Sequence, residues 1–255
     1  MITRELHVLS ELLRREVRLQ YRGTALGLVW AVASPLAVAA VYVGLFGGMF
    51  GAAGDAGYAR AVLAALIPWT GFAAALCAAA HAPLTHAALL RGHRVQVRTL
   101  ATAAALAALP ALLIGLALML AAAPATLMAP GAMIALPGLL ALLTGLAIAG
   151  GWLLALANLM LRDTQHALQY ALRLAFWVTP VLWTTAQLPP RLAPFAWLVQ
   201  LNPMSGIASG FRAVLAGATA PSVVSLAPAL LWTCALAMTA AVAERHLGRR
   251  VAELV

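Results

Sequence analysis

Apolar and polar positions along this chain fall into long blocks and do not alternate. In the first twenty residues Leu6, Leu9, Leu13 and Val17 recur at helical spacing on one face, with Arg4, Glu11, Arg15, Arg18 and Arg22 on another. Such a helix lies in a membrane interface with its arginines toward water and headgroups. The alternative, a cleavable leader, has a shorter basic region and an apolar core of only ~7–15 residues. Charge then disappears over residues 23–54, against the ~20 apolar residues that a helix needs to cross ~30 Å of hydrocarbon. Further apolar blocks follow at about 59–80, 99–123, 132–161, 168–184 and 222–243. The third and fourth spans share the charge-free stretch 99–161, divided only by the Pro- and Gly-bounded link 124–131. Runs of this length exceed the short alternating strands of a barrel. The pattern therefore predicts an all-α integral membrane protein with six transmembrane helices. Residues 1–24 form an amphipathic interfacial helix, and 25–255 a single six-span domain.

Between the fifth and sixth spans, residues 185–221 are too apolar for a simple loop and too broken for a crossing. Pro189 and Pro190 open a short helix over 191–199, and Asn202-Pro203 opens another, since Asn is a good N-cap and Pro suits the first helical position. In the second helix Met204, Ile207, Phe211 and Val214 share one apolar face, and Gly217 suits the C-cap. Two re-entrant helices would have to border protein or a water-filled cavity. A hairpin resting on headgroups is the other reading.

Composition agrees with the pattern: 64% of the 255 residues are hydrophobic and 9% charged. The net charge of +9 comes from arginines at the ends of apolar blocks, with no single basic patch, which argues against nucleic acid. Arg4, Arg14, Arg15, Arg18, Arg22, Arg91, Arg94, Arg98, Arg162, Arg245, Arg249 and Arg250 fall on one side of the spans, and Arg60, Arg191 and Arg212 on the other. That bias predicts cytoplasmic termini. Arg173 lies about two turns into the fifth span, where it snorkels or faces an aqueous lumen.

The chain contains no Lys, so it holds no standard P-loop, whose Lys reaches the nucleotide phosphates. An ATP-driven exporter of this composition needs its motor on a separate polypeptide. Cys77 and Cys234 sit in apolar runs without disulfide or metal spacing. The acids Glu5, Glu11, Glu16, Asp55, Asp163, Glu244 and Glu253 all fall outside the expected spans, leaving no buried carboxylate for a proton or sodium relay. A metal-dependent lipid-sugar transferase would need clustered acids. Gly206-Ile207-Ala208-Ser209-Gly210 departs from a serine-nucleophile turn by one residue in its first Gly. Tyr42, Phe46 and Phe50 repeat every four residues on the first span, and Tyr170, Arg173 and Trp177 share a face of the fifth. Aromatic faces give broad, weakly directional contact suited to sliding sugar rings; packing against core or lipid is the other reading. Trp30, Trp69 and Trp183 near span ends fit interfacial anchors.

Five blocks, in order over nearly the whole chain, carry a family likeness. They are Tyr21-Arg22-Gly23-Thr24-Ala25-Leu26-Gly27-Leu28-Val29-Trp30 with Pro35 beyond it, Leu66-Ile67-Pro68-Trp69-Thr70, Asn158-Leu159-Met160-Leu161-Arg162-Asp163, Phe176-Trp177-Val178-Thr179-Pro180-Val181, and Leu201-Asn202-Pro203 followed by Phe211-Arg212-Ala213. In these the chain resembles the permease subunits of ABC exporters that move lipid-linked polysaccharides, the O-antigen or Wzm type. The resemblance implies a homodimer in the cytoplasmic (inner) membrane, served by two copies of a separate ATPase subunit that binds ATP and Mg, with no cofactor in this chain. It implies a cytoplasmic gate at Arg18, Tyr21 and Arg22, a coupling helix to the ATPase at His86, Leu89, Leu90 and Arg91, and an external gate at Asn202, Pro203, Phe211 and Arg212. The substrate pathway, read from the aromatic stripes, runs past Tyr42, Phe46, Tyr170, Arg173 and Trp177. One departure stands out: Arg91-Gly92-His93-Arg94 follows the coupling helix without the family's Pro. A drug or small-lipid exporter permease, or a membrane-embedded enzyme of lipid or glycan assembly, are the alternatives.

Overall fold

Long apolar blocks become long helices, and no strand occurs among the described residues. The structure, a computed structural model, describes residues 2–21, 33, 36–38, 40–45, 55–92, 95–122, 130–161, 163–188, 190–217 and 219–247. The helices are α1 (Ile2–Tyr21), α2 (Ala56–Thr85), α3 (Ala87–Arg91), α4 (Val97–Ala107), α5 (Leu109–Ala122), α6 (Pro130–Met160), α7 (Thr164–Val178), α8 (Ala196–Leu201), α9 (Pro203–Leu215) and α10 (Val223–Leu247). Among the described residues four apolar stretches are long enough to cross a bilayer: Ala56–Thr85, Val97–Ala122, Ile134–Met160 and Val223–Leu247. They correspond to the expected second, third, fourth and sixth spans. The third is interrupted at Ala108, between α4 and α5, where Pro110 just beyond lacks the N–H that would continue the ladder.

The expected first span lies mostly outside the described residues, with residues 36–38 and 40–45 helical. The fifth differs from the block read at 168–184: α7 begins at Thr164 and stops at Val178. Thr179 precedes Pro180 and is extended, at φ −78° and ψ 134°, because a proline ring disfavours helical geometry in the residue before it. The next segment also differs from a simple helix over 191–199. A 3₁₀ turn spans Pro190–Phe195 around Pro194, and the α-helical turn α8 follows. The second helix starts as expected, with the Asn202 side chain accepting from the Met204 amide at 3.0 Å. Its C-cap is Ala216, one residue before Gly217, and both amides donate to the Arg212 carbonyl.

The core forms around α2, which packs on α4, α6 and α9, while α6 also supports α10. Small residues let the backbones close. A Cβ on Gly151 of α6 would lie 2.3 Å from Ala79 Cβ of α2. Next to that crossing the buried Asn158 amide donates to the Ala80 carbonyl at 3.0 Å. Between α9 and α10 the approach is closer still: a Cβ on Gly206 would sit 1.9 Å from the Ser225 backbone oxygen. Backbone proximity of this kind suits helices associating in lipid, where packing and interhelical hydrogen bonds replace hydrophobic drive.

Candidate functional site

At the end of the bundle that carries α1 and the 86–97 loop, α1 lies along α4. Its apolar stripe turns inward, with Leu12 buried and Val8 and Leu9 against the core, while Arg14, Arg15 and Arg18 stay exposed. Tyr21 is the last residue of α1; its side chain and Arg22 lie outside the described residues. On the polar face Glu16 meets His86, the buried residue between α2 and α3, with Oε1 2.5 Å from Nε2. The short α3 presents two sides. Leu90 is 3% exposed and Leu89 packs against the core, so the outward residues are Ala88, Arg91 and Gly92.

The next helix is capped from far away. Gln96 offers α4 no side-chain cap, and the Val97 amide instead donates to Glu244 Oε1 at 3.2 Å. The Arg98 backbone amide and guanidinium face the same carboxylate. The buried indole N–H of Trp152 approaches it without closing a hydrogen bond. Glu244, read from sequence as lying beyond the last span, is thus inside α10 and half-buried. A signal was present: an acid in the last turns of a helix opposes the helix dipole, and so invites a search for the donor it serves.

At the other end, Arg212 of α9 joins three elements. Its Nε donates to the Ala61 carbonyl of α2 at 3.2 Å, and one Nη donates to Pro180 and Val181 at 2.9 and 3.0 Å. These last two carbonyls are left open where α7 breaks off. The Asn202 amide donates to Thr179 Oγ1 at 2.9 Å, and the Tyr58 hydroxyl donates to the Leu182 carbonyl at 3.1 Å. Burial lowers the Arg212 pKa from its ordinary value, yet a guanidinium starts so high that it remains charged. Pro203 takes the first turn of α9, and Phe211 is fully buried. The residues expected at the external gate therefore come together, but Arg212 is a fastener and Phe211 a core residue.

Between the two ends runs a chain of rings. Tyr42 lies 5.5 Å from Phe176 and 6.3 Å from Trp177, centroid to centroid; Phe176 continues to Trp69 at 5.8 Å, and Trp69 to Phe72 at 6.1 Å. Trp69, expected from sequence to be an interfacial anchor, is instead a core residue 6% exposed in the middle of α2, and its meeting with Phe176 was not legible, because helical spacing does not say which rings of different helices meet. Along α7 the Arg173 guanidinium sits 5.4 Å above the Tyr170 ring, and Tyr170 and Trp177 are 65% and 54% exposed. Phe46 lies outside the described residues.

Comparison with known proteins agrees with this architecture. The chain is 26% identical over 218 residues, 84% of its own length and 83% of the relative's, to the O-antigen export system permease protein RfbA of Myxococcus xanthus. Residues 7–216 match the ABC-2 type transporter family. Matched over most of its length, and with four apolar helices among its described residues able to cross a bilayer, the chain belongs to the ABC-2 type transporter family as a multi-pass membrane permease.

Proposed function

We propose that this permease carries a lipid-linked polysaccharide of the O-antigen kind across the cytoplasmic (inner) membrane. The observation that carries the reading is the exposed face of α7 formed by Tyr170, Arg173 and Trp177, with Tyr42 edge-on to Trp177 and the rings of Phe176 and the buried Trp69 behind it. An aromatic surface turned away from the chain's own core offers stacking faces to sugars, and a second copy facing it would complete a pathway. The likeness to an O-antigen export permease supports the substrate class. In this reading the protein is a homodimer with cytoplasmic termini. Residues 1–24, with Arg18, Tyr21 and Arg22, form the cytoplasmic gate, and 25–255 the permease domain. A separate ATPase, two copies per dimer, binds ATP and Mg and meets α3 at Ala88 and Arg91.

The test is surface polysaccharide per assembled complex in cells carrying Trp177→Ala, Trp177→Phe or Tyr42→Ala. Export falls with either Ala variant at normal complex levels and is kept by Phe, which retains a stacking face. Unchanged export per complex in both Ala variants overturns the aromatic pathway. ATP turnover by the purified permease alone, beyond a contaminant's rate, overturns the separate motor.

A further inference from the structure

We propose that Glu16 and Glu244 are positioning residues that hold the 86–97 loop at its two ends and pass its displacement on to the first and last helices. The inference rests on the reading that an ATPase meets this loop. Three observations carry it. First, α3 has only five residues, far below the length at which a helix holds itself. Second, neither His86 before α3 nor Gln96 before α4 supplies a side-chain cap. Third, a carboxylate from a distant part of the chain stands at each of these unserved boundaries: Glu16 at His86, 70 residues apart in sequence, and Glu244 at the Val97 amide, 147 residues apart.

The chemistry suits a hold that transmits force. Glu244 accepts from an N–H of the first turn of α4, where backbone donors are unsatisfied and negative charge is favoured. The Val97 bond is 3.2 Å long, and the Arg98 backbone amide and guanidinium share the same carboxylate, so the hold is spread over the first turn of α4. Glu16 points at the one buried polar residue of the α2–α3 junction. Leu90 pins the middle of the loop to the core, while Ala88 and Arg91 face outward. A push on that outward face moves α1 through Glu16, and moves α10 against α4 through Glu244. Without the carboxylates the loop would give way locally and the helices would stay where they are.

The experiment uses the permease–ATPase complex in lipid vesicles and compares Glu16→Ala, Glu244→Ala, Glu16→Gln and Glu244→Gln with wild type. Complex yield, ATP turnover and polysaccharide export are measured together. Each Ala variant is expected to bind the ATPase and hydrolyse ATP while its export per ATP falls about fivefold, the population change that loss of one capping interaction brings. Each Gln variant keeps a side-chain oxygen acceptor and recovers most of the coupling. Export per ATP unchanged in both Ala variants, or Gln as damaging as Ala, overturns the proposal. Should an Ala complex fail to assemble, amide hydrogen exchange of the intact permease decides. Peptides covering 86–101 must lose protection in the Ala variants and keep it in the Gln variants, and equal protection overturns the hold. Failure of wild-type permease to retain any ATPase would instead remove the coupling reading, and the exchange measurement would still report on the two carboxylates.

Discussion

At the hairpin end a cation, Arg212, reaches into carbonyls of Ala61, Pro180 and Val181; at the α1 end two anions, Glu16 and Glu244, reach an imidazole and a free backbone amide. The guanidinium serves carbonyls from two other parts of the chain with a rigid, planar set of donors. Moving α9 alone would strand all of those acceptors, each costing about 1–3 kcal/mol when buried and unpaired. At the other end Glu16 reaches an imidazole and Glu244 the first backbone amides of α4 with the Arg98 guanidinium nearby, part-buried contacts that water can reach more easily than the carbonyls around Arg212. One end is thereby made to move as a block, and the other to yield in small steps. For a transporter whose ATPase is proposed to act at the α1 end, this places the adjustable contacts next to the motor.

The largest effect should come from Gly206→Val. The added Cβ meets the Ser225 backbone oxygen at 1.9 Å, and a backbone atom, unlike a flexible side chain, cannot turn aside. We expect almost no assembled protein in the membrane fraction, whereas Gly138→Ala, with nothing within 4 Å of the added Cβ, should accumulate normally. Wild-type levels of Gly206→Val would mean that α9 and α10 are not held this closely.

Arg212→Met comes next. With three carbonyl bonds lost, stability should fall by at least about 3 kcal/mol, and Arg212→Lys should recover only part, since an ammonium lacks the planar fork. Thermal unfolding in detergent reads both. A Met variant as stable as wild type would refute the contrast between the two ends.

The rings between the ends divide in the same manner. Phe176 touches Tyr42, Trp69 and Trp177 and is partly buried, so Phe176→Ala should cost about 3 kcal/mol or more of folding stability. Trp177→Ala, at a half-exposed ring, should leave the folded fraction nearly unchanged. Equal losses in the two variants would place Trp177 in the packed interior of the assembled protein. The smallest effect is expected from His86→Ala and Glu244→Ala, about 1 kcal/mol each in the same unfolding assay. A drop as large as that of Arg212→Met would make the α1 end as rigid as the hairpin end.

Much of this architecture was legible in the residue pattern because charge is expelled from a span by the same physics that makes it helical. The second, third, fourth and sixth blocks became helices within a few residues of where the pattern placed them. Asn202-Pro203 was readable as a helix start because the cap is local: the side chain that accepts belongs to the residue that precedes the helix. The end of α7 at Val178 was misplaced because Thr179 to Thr184 remain apolar enough to extend a span, while the proline that stops the helix acts on one residue only. The partners of the two carboxylates were unreadable for another reason, since they lie 70 and 147 residues away.

The sequence by itself determined that this chain is helical, that it spans a membrane several times, that it carries no standard P-loop, and where its α9 hairpin helix begins. Each of these depends on composition or on neighbours within one turn, where hydrophobicity and backbone capping act. Only the tertiary structure decided which charged groups join distant segments, which rings touch, and that the Tyr170 and Trp177 face of α7 points away from the chain's own core while Leu90 of α3 points into it. A helix presents the same residues whichever way it is rotated, and the rotation is chosen by the packing of other helices, at contacts such as Gly151 on Ala79 and Gly206 on Ser225.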